Sequence, residues 1–121
     1  MKTSNFKDLK VWQKAFDMSI EIYNATRFFP DEEKYGLSSQ MRRAAVSIPS
    51  NIAEGHGRSS KQEFIHFLSI ARGSASELMT QILISQKLGF CSENITSEII
   101  SNLTEIDKMI VSLIKYLKTE N

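Results

Sequence analysis

The 121-residue sequence has little of several features that mark particular kinds of protein. Its single cysteine, Cys91, excludes an intramolecular disulfide and is typical of a reducing compartment, so we expect a cytoplasmic protein. No stretch approaches the roughly 18 apolar residues of a membrane span, and the first residues lack the apolar core of a signal peptide. We therefore expect neither a membrane segment nor a secretion signal.

The sequence also has little net charge. A value of +1 does not by itself indicate a nucleic-acid-binding protein. Residues 1–35 carry equal numbers of basic and acidic side chains, residues 36–91 carry six basic and three acidic ones, and residues 92–121 carry three basic and five acidic ones. The small positive excess therefore lies in the middle of the chain.

The residue patterns of common active sites are missing or incomplete. Glu63 and His66 form one Glu-x-x-His pair, whereas a di-iron site in a helical bundle needs two such pairs and two further glutamates. No serine stands in a strained elbow, and the glycines beside His56 follow a predicted helix, whereas a phosphate-binding loop precedes one. We predict no catalytic residue, metal, cofactor or small-molecule substrate, and hence a protein that is not an enzyme.

What the sequence does contain is helical periodicity in four segments, with no strand-like alternation. The predicted helices span Leu9–Arg27, the stretch Tyr35–Ser60, Lys61–Leu88, and a segment that begins between Ser92 and Thr96. Ser60 and Glu63 form a capping box before the third helix, and the fourth repeats apolar residues at heptad spacing. The pattern predicts an all-α single domain over residues 1–121, an antiparallel up-down four-helix bundle.

The second predicted helix carries a distinct pattern of side chains on each of its sides. It carries an apolar stripe, a polar stripe and a third stripe of small apolar residues around Val46, Pro49 and Ala53. Pro49 lacks the N–H that a helix needs there, so we expect a kink before it. Gly55 and Gly57 are interpreted as the signal that ends this helix.

The apolar arcs of several helices are wider than a single core uses. On the third helix, Ile70, Ile84 and Leu88 lie beyond one edge of the core stripe, and Ile65 and Leu83 lie beyond the other. Large apolar patches of this kind usually mark interfaces. We therefore predict that the protein assembles with further copies of itself.

The polar stripe of the second helix has two interpretations, which the sequence leaves open. One is a structural polar network between helices, formed by Arg43, Ser47, Asn51, Glu54, Ser74 and Glu77. The other is a nucleic-acid-binding patch whose phosphate contacts are Arg42, Arg43, Arg58 and Lys61, with Arg72 as a further candidate.

Several motifs together resemble a known family. They include Phe6-x-x-Leu9-x-Val11-Trp12, Phe29-Pro30, Tyr35-Gly36-Leu37, Gln40-x-Arg42-Arg43, Asn51-Ile52-Ala53-Glu54-Gly55 and Phe67-Leu68-x-Ile70-Ala71-x-Gly73-Ser74. They resemble the proteins encoded in intervening sequences of bacterial 23S ribosomal RNA genes, and are similar to accessory proteins of diversity-generating retroelements. The resemblance implies a four-helix bundle that assembles as a ring-shaped homopentamer. In the retroelement proteins, a basic surface engages nucleic acid.

Two hypotheses about function follow. The first is a non-enzymatic homopentamer that acts as an RNA- or nucleoprotein-associated assembly factor. The alternative is a protein-binding scaffold without nucleic-acid affinity. They differ in whether the basic side chains face solvent or are paired between helices.

Overall fold

In a computed structural model of the chain, which describes residues 5–119, all regular structure is helical. The four long helices are α1 (Lys10–Thr26), α2 (Leu37–His56), α3 (Lys61–Lys87) and α4 (Glu93–Thr119). Short 3₁₀ turns occupy Phe6–Asp8 and Asp31–Glu33, and residues 5–119 contain no strand. The predicted all-α class is confirmed. Two other predictions involve residues outside the described range. They are the single domain over residues 1–121 and the expected lack of a signal peptide.

The helix ends form where side chains or glycine satisfy backbone groups that the helix itself leaves unpaired. At the start of α3, the Ser60 hydroxyl accepts a hydrogen bond from the backbone N–H of Glu63 at 3.1 Å, as a capping box requires. After α3, Gly89 adopts a φ of +83°. Its N–H bonds to the carbonyl of Gln86, and the N–H of Phe90 bonds to that of Ser85. This is a Schellman motif, which favours glycine because other residues are strained at that φ.

Successive helices run antiparallel and close into a bundle. Near the start of α2, Met41 lies beside Ser85 of α3, whereas near the end of α2, Gly55 packs against Phe67. Positions on α3 therefore fall as positions on α2 rise. Helix α4 then packs against both α1 and α3. These contacts make the up-down four-helix arrangement that the sequence predicts.

One continuous apolar core lies between the four helices. Its largest fully buried side chains come from every helix: Met18, Ile22, Met41, Ile48, Ile52, Leu68, Leu78, Ile82, Ile99, Leu103, Ile106 and Ile110. The heptad residues of α4 thus face inward, as their spacing predicts. Within residues 5–119, no helix is long and apolar enough to cross a membrane.

A serine on α1 compensates for the proline inside α2. Pro49 is buried, and because it has no N–H, the carbonyl of Ala45 lacks its usual helical donor. The buried Ser19 hydroxyl lies 3.0 Å from that carbonyl oxygen and 3.1 Å from the carbonyl oxygen of Ala15 in its own helix. Ser19 therefore satisfies a backbone acceptor that would otherwise be buried without a donor, which costs about 1–3 kcal/mol.

We expect Ser19→Ala to lower the free energy of unfolding by about 1–3 kcal/mol, because the Ala45 carbonyl then loses its donor. In a Pro49→Ala background, the N–H of residue 49 can bond that carbonyl, so the same change should cost less than about 0.5 kcal/mol. Chemical denaturation of the four proteins of this double-mutant cycle measures the difference.

The matched control for this cycle is Ser85→Ala. Ser85 is also buried, and its hydroxyl donates to the Gln81 carbonyl at 2.9 Å within an uninterrupted helix. The cost of removing it should be independent of the residue at position 49. Equal costs of Ser19→Ala in both backgrounds would show that the serine does not compensate for the proline.

Candidate nucleic-acid interface

The four predicted phosphate contacts lie in two separate places along α2. Arg42 and Arg43 stand in its second turn, whereas Arg58 lies in the connection that follows α2, and Lys61 is the first residue of α3. Arg42 lies 14 residues before His56, the last residue of α2, which corresponds to about 21 Å along the helix axis, and Arg58 lies beyond that end. Within one chain, the structure therefore does not bring the four cations together.

Arg58 and Lys61 already have partners within the chain. The Arg58 guanidinium donates to a Glu54 carboxylate oxygen at 2.9 Å and lies 4.0 Å from a Glu63 carboxylate oxygen. It also stands 4.9 Å from the centroid of the Phe67 ring. Lys61 too is engaged by another residue. The two carboxylates reduce the positive potential at this end of the bundle.

Arg42 is held rigidly, with part of its guanidinium still available. Its Nε donates to the Thr26 hydroxyl at 2.8 Å, and that hydroxyl donates in turn to the carbonyl of Ile22 at 2.7 Å. The guanidinium carbon lies 4.7 Å from the centroid of the Tyr23 ring, a cation–π contact. These contacts leave the terminal NH₂ groups in a fixed orientation for an anion.

Arg43 differs from the other three cations. It is exposed, and within residues 5–119 it makes no hydrogen bond or ion pair. It lines two adjoining depressions, one shared with Lys34 and Arg42 and one shared with Ser74 and Glu77. An exposed guanidinium that makes no ion pair within the described residues is well suited to a phosphate.

The surroundings of Arg43 include two residues that are not among the phosphate contacts predicted from the sequence. Lys34 and Tyr35 follow the 3₁₀ turn that leads into α2, and they line the depression that contains both arginines. We call this group the Arg43 cluster: Tyr23, Lys34, Tyr35, Ser39, Arg42, Arg43 and Val46. The Tyr35 ring is 88% exposed, with the Lys34 ammonium 5.6 Å from its centroid.

Cations beside an exposed aromatic ring suit a single-stranded nucleic acid, because phosphates bind the cations and a base can stack on the ring. Acidic residues lie close by. Asp31 lines the neighbouring depression, and Glu33 accepts a hydrogen bond from the backbone N–H of Leu37 at 3.1 Å, which caps α2. The local excess of positive charge is therefore modest in one copy. The signal that could have revealed the cluster is the Lys34-Tyr35 pair at the start of the second predicted helix.

The six residues of the predicted polar network separate into smaller groups. Ser47 and Ser74 share a hydrogen bond of 2.8 Å between α2 and α3, and the Asn51 amide donates to the Ser47 hydroxyl at 2.9 Å. Glu77 instead accepts from Gln81 at 3.2 Å. Ser47, Asn51 and Ser74 therefore form the part of the network that joins two helices.

Arg43 and Glu54 share a stripe of α2 but do not pair. Eleven residues place them about 16 Å apart along the axis. Glu54 is exposed and bonds Arg58, its neighbour four residues on. The ion pair in the structure joins Glu54 to Arg58 and not to Arg43, because a common face of a helix does not by itself bring side chains into contact.

Arg72, the further candidate contact, is also paired. Its Nε donates to Asp107 of α4 at 2.8 Å, and this hydrogen bond raises the pKa of the guanidinium, which stays charged. Residues 5–119 contain no group of three or more histidine, cysteine or acidic side chains placed to hold a metal ion. Among the five candidate cations, Arg43 and Arg42 thus remain the most available.

Comparison with known proteins finds a matching family model and similar solved structures. A family model described as 23S rRNA-intervening sequence protein matches residues 7–112. A crystal structure from Bacteroides thetaiotaomicron VPI-5482, described as a protein with unknown function from the S23 ribosomal protein family, is similar with a TM-score of 0.81 and 29% sequence identity. That similarity covers 87% of this chain and 95% of the other. No curated protein matches the chain in sequence.

Proposed function

The chain belongs to the 23S rRNA-intervening sequence protein family, and we propose that it is a non-enzymatic, ring-shaped homopentamer that binds RNA. In this proposal it acts as an RNA- or nucleoprotein-associated assembly factor. The Arg43 cluster contacts single-stranded segments: its cations bind phosphates and Tyr35 stacks on a base. The observation that carries the proposal is Arg43, which is exposed and unpaired within residues 5–119, beside an almost fully exposed tyrosine.

The oligomeric part of the proposal is supported by apolar side chains that the bundle leaves uncovered. Ile70, Leu83, Ile84 and Leu88 on α3 are all exposed, although the core of the protomer is complete without them. A second set lies on α1 and α2, where Phe16, Ile20, Tyr23 and Val46 are exposed. Two such sets on one small chain favour self-association.

Assembly would also increase the number of cations available to one RNA strand, because the positive charge of a single Arg43 cluster is small. One copy has a net charge of +1, and acidic residues flank its Arg43 cluster. In a cyclic pentamer, each cluster is repeated around the axis, so a strand can touch cations from several copies at once. Affinity then comes from the sum of modest contacts.

We expect size-exclusion chromatography with light scattering to show five protomers, and fluorescence anisotropy at 50 mM salt to show saturable binding of a labelled RNA with single-stranded loops. Neutralising the cluster with Lys34→Gln and Arg43→Gln should weaken binding about tenfold or more, because two cations that bind phosphate are removed.

The matched control is Arg58→Gln with Lys61→Gln, which removes the same charge at the other end of α2. It should change the affinity by less than about threefold, because carboxylates already neutralise Arg58. The reverse ranking would move the interface to Arg58 and Lys61. A correctly assembled oligomer without saturable RNA binding would instead support the alternative, a protein-binding scaffold without nucleic-acid affinity.

A further inference from the structure

A further depression adjoins the Arg43 cluster, at the connection between α1 and α2. Its polar lining comes from the residue after α1, from the connection and from the start of α2: Arg27, Asp31, Lys34, Ser38 and Arg42. We call this depression the Ser38 pocket. Its volume is about 280 Å³, close to the lower limit of roughly 300 Å³ for small-molecule sites, so it has room for a small chemical group.

The Ser38 hydroxyl is the unusual feature of this pocket. Ser38 is only 6% exposed, yet within residues 5–119 its hydroxyl makes no hydrogen bond. Ser19, Thr26 and Ser85 are buried to a similar degree, and each of their hydroxyls donates to a backbone carbonyl. A buried hydroxyl without a partner is unfavourable. Because Ser38 lines the pocket, a molecule bound there would supply the missing partner.

Three cations line the same pocket. Nε of Arg42 donates to the Thr26 hydroxyl at 2.8 Å, which keeps the terminal NH₂ groups of this arginine oriented and available. Arg27 and Lys34 are exposed at the rim. Asp31 is the one carboxylate in the lining, so three positive charges and one negative charge give a local charge of +2.

The start of α2 adds to this positive potential. The first N–H groups of a helix have no acceptor within it, and the helix dipole places partial positive charge there. The Glu33 carboxylate accepts from the N–H of Leu37 at 3.1 Å, and Ser38 is the next residue of the helix. A helix start that is combined with cations and a hydroxyl suits a phosphate group.

We propose that the Ser38 pocket binds a phosphomonoester, namely the terminal phosphate of the RNA strand that lies on the Arg43 cluster; this inference rests on the proposed function. A terminal phosphate carries a charge of about −1.5 to −2 at pH 7 and has three free oxygens. Its charge matches the +2 of the lining, and its oxygens can accept from Ser38, Lys34 and Arg42 together.

The two depressions are continuous through shared residues. Lys34 and Arg42 line both the Ser38 pocket and the Arg43 cluster. A strand whose end lies in the pocket can therefore place its next nucleotides directly on the cluster. A phosphate within the strand carries only one negative charge and continues on both sides, so it fits the pocket less well than a terminal one.

RNAs that differ only at their ends test the ligand. We expect an internally labelled RNA with a 5′-phosphate or a 3′-phosphate to bind about tenfold or more tightly than the same RNA with hydroxyl ends, as measured by fluorescence anisotropy. Arg27→Gln with Ser38→Ala should reduce this preference to less than about threefold. The affinity for hydroxyl-ended RNA should stay the same, because neither residue belongs to the Arg43 cluster.

The matched control is Arg58→Gln with Ser59→Ala, which removes the same two kinds of group beyond the other end of α2. It should keep the full preference for a phosphorylated end. Loss of the preference in this control as well would show that the preference reflects the total charge of the protein, and would overturn the pocket.

Inorganic phosphate tests the pocket without RNA. At matched ionic strength, about 10 mM phosphate in place of chloride should raise the midpoint of thermal unfolding by about 2 °C or more. Arg27→Gln with Ser38→Ala should abolish this rise. In chloride the same variant should unfold within about 2 °C of the wild type, because the Ser38 hydroxyl makes no bond that the fold needs.

The two experiments separate the sources of the phosphate and the two proposals. Stabilisation by phosphate without an end preference would assign the pocket to a free phosphomonoester, and would overturn its role at the RNA end. A protein that binds RNA but shows neither effect would overturn the pocket. Failure to bind any RNA, with stabilisation by phosphate retained, would overturn the proposed function and leave the phosphate pocket supported.

Discussion

Raising the salt concentration from 50 to 200 mM should weaken RNA binding about a hundredfold. Each phosphate that a cation neutralises on a single strand releases counterions, which lowers log affinity by about 0.7 per unit of log salt concentration. If one strand contacts five cations of the ring, the slope is about −3.5, which gives this loss over a fourfold change in salt. Anisotropy titrations at four or five salt concentrations measure the slope.

Two variants of the Arg43 cluster should separate charge from stacking. Lys34→Gln with Arg43→Gln should flatten the slope by about 0.7 for each phosphate that is no longer neutralised. Tyr35→Ala should lower the affinity about 5- to 150-fold at every salt concentration without changing the slope, because stacking releases no counterions. Tyr35→Phe keeps the ring and should bind like the wild type.

A slope near zero would mean that the complex forms without phosphate contacts, and would remove the cations from the interface. A Tyr35→Ala variant with unchanged affinity would remove the tyrosine alone. The two outcomes are independent, since one is read from the slope and the other from the affinity at a fixed salt concentration.

Replacing Gly55 with alanine should lower the free energy of unfolding by about 1–3 kcal/mol. A Cβ at this buried position would lie 2.7 Å from Cβ of Phe67, 2.9 Å from Cδ1 of Phe64 and 3.3 Å from the Phe64 carbonyl oxygen. Helices α2 and α3 must then move apart or the aromatic rings must leave their places. The expected loss is net of the gain in helix propensity, about 1 kcal/mol.

Gly57→Ala is the matched control, two residues further along the chain. There an added Cβ meets only the carbonyl oxygen of Glu54 at 3.6 Å and that of Ala53 at 3.8 Å, which are ordinary contacts. Its effect should stay within about 0.5 kcal/mol. Urea denaturation at a fixed protein concentration compares the two variants, since dissociation contributes equally to both measurements. Equal stabilities would show that the helices accommodate the methyl group at position 55.

The helices themselves could be predicted because their signals are local. Apolar residues at helical spacing, the capping box at Ser60 and the glycine at position 89 each act over a few residues, so the sequence contains all the information that they need. The heptad spacing of α4 likewise predicted its buried face. The motif-based family assignment was confirmed by the family model.

The pairings between sequence-distant side chains could not be predicted in the same way. Arg43 and Glu54 share a stripe, yet Glu54 bonds the nearer Arg58, and Arg43 keeps its charge exposed. Lys34 lies between the first two predicted helices, and the turn before α2 brings it beside two arginines. The connection between α1 and α2 determines which cations lie close together, because it sets the relative positions of the two helix ends.

Gly55 and Ser19 show the same division most clearly. The sequence interpretation of Gly55 as a helix stop was incomplete, because α2 continues through it to His56 and the glycine admits the aromatic residues of α3. Ser19 lies within the first predicted helix, and its role depends on a carbonyl 26 residues away in the sequence. By itself the sequence determined the all-α class and the positions of the four helices, since backbone hydrogen bonds and apolar periodicity are short-range properties. The tertiary structure decided which polar groups are satisfied, which cations remain available and where helices touch, because those depend on the relative placement of whole helices.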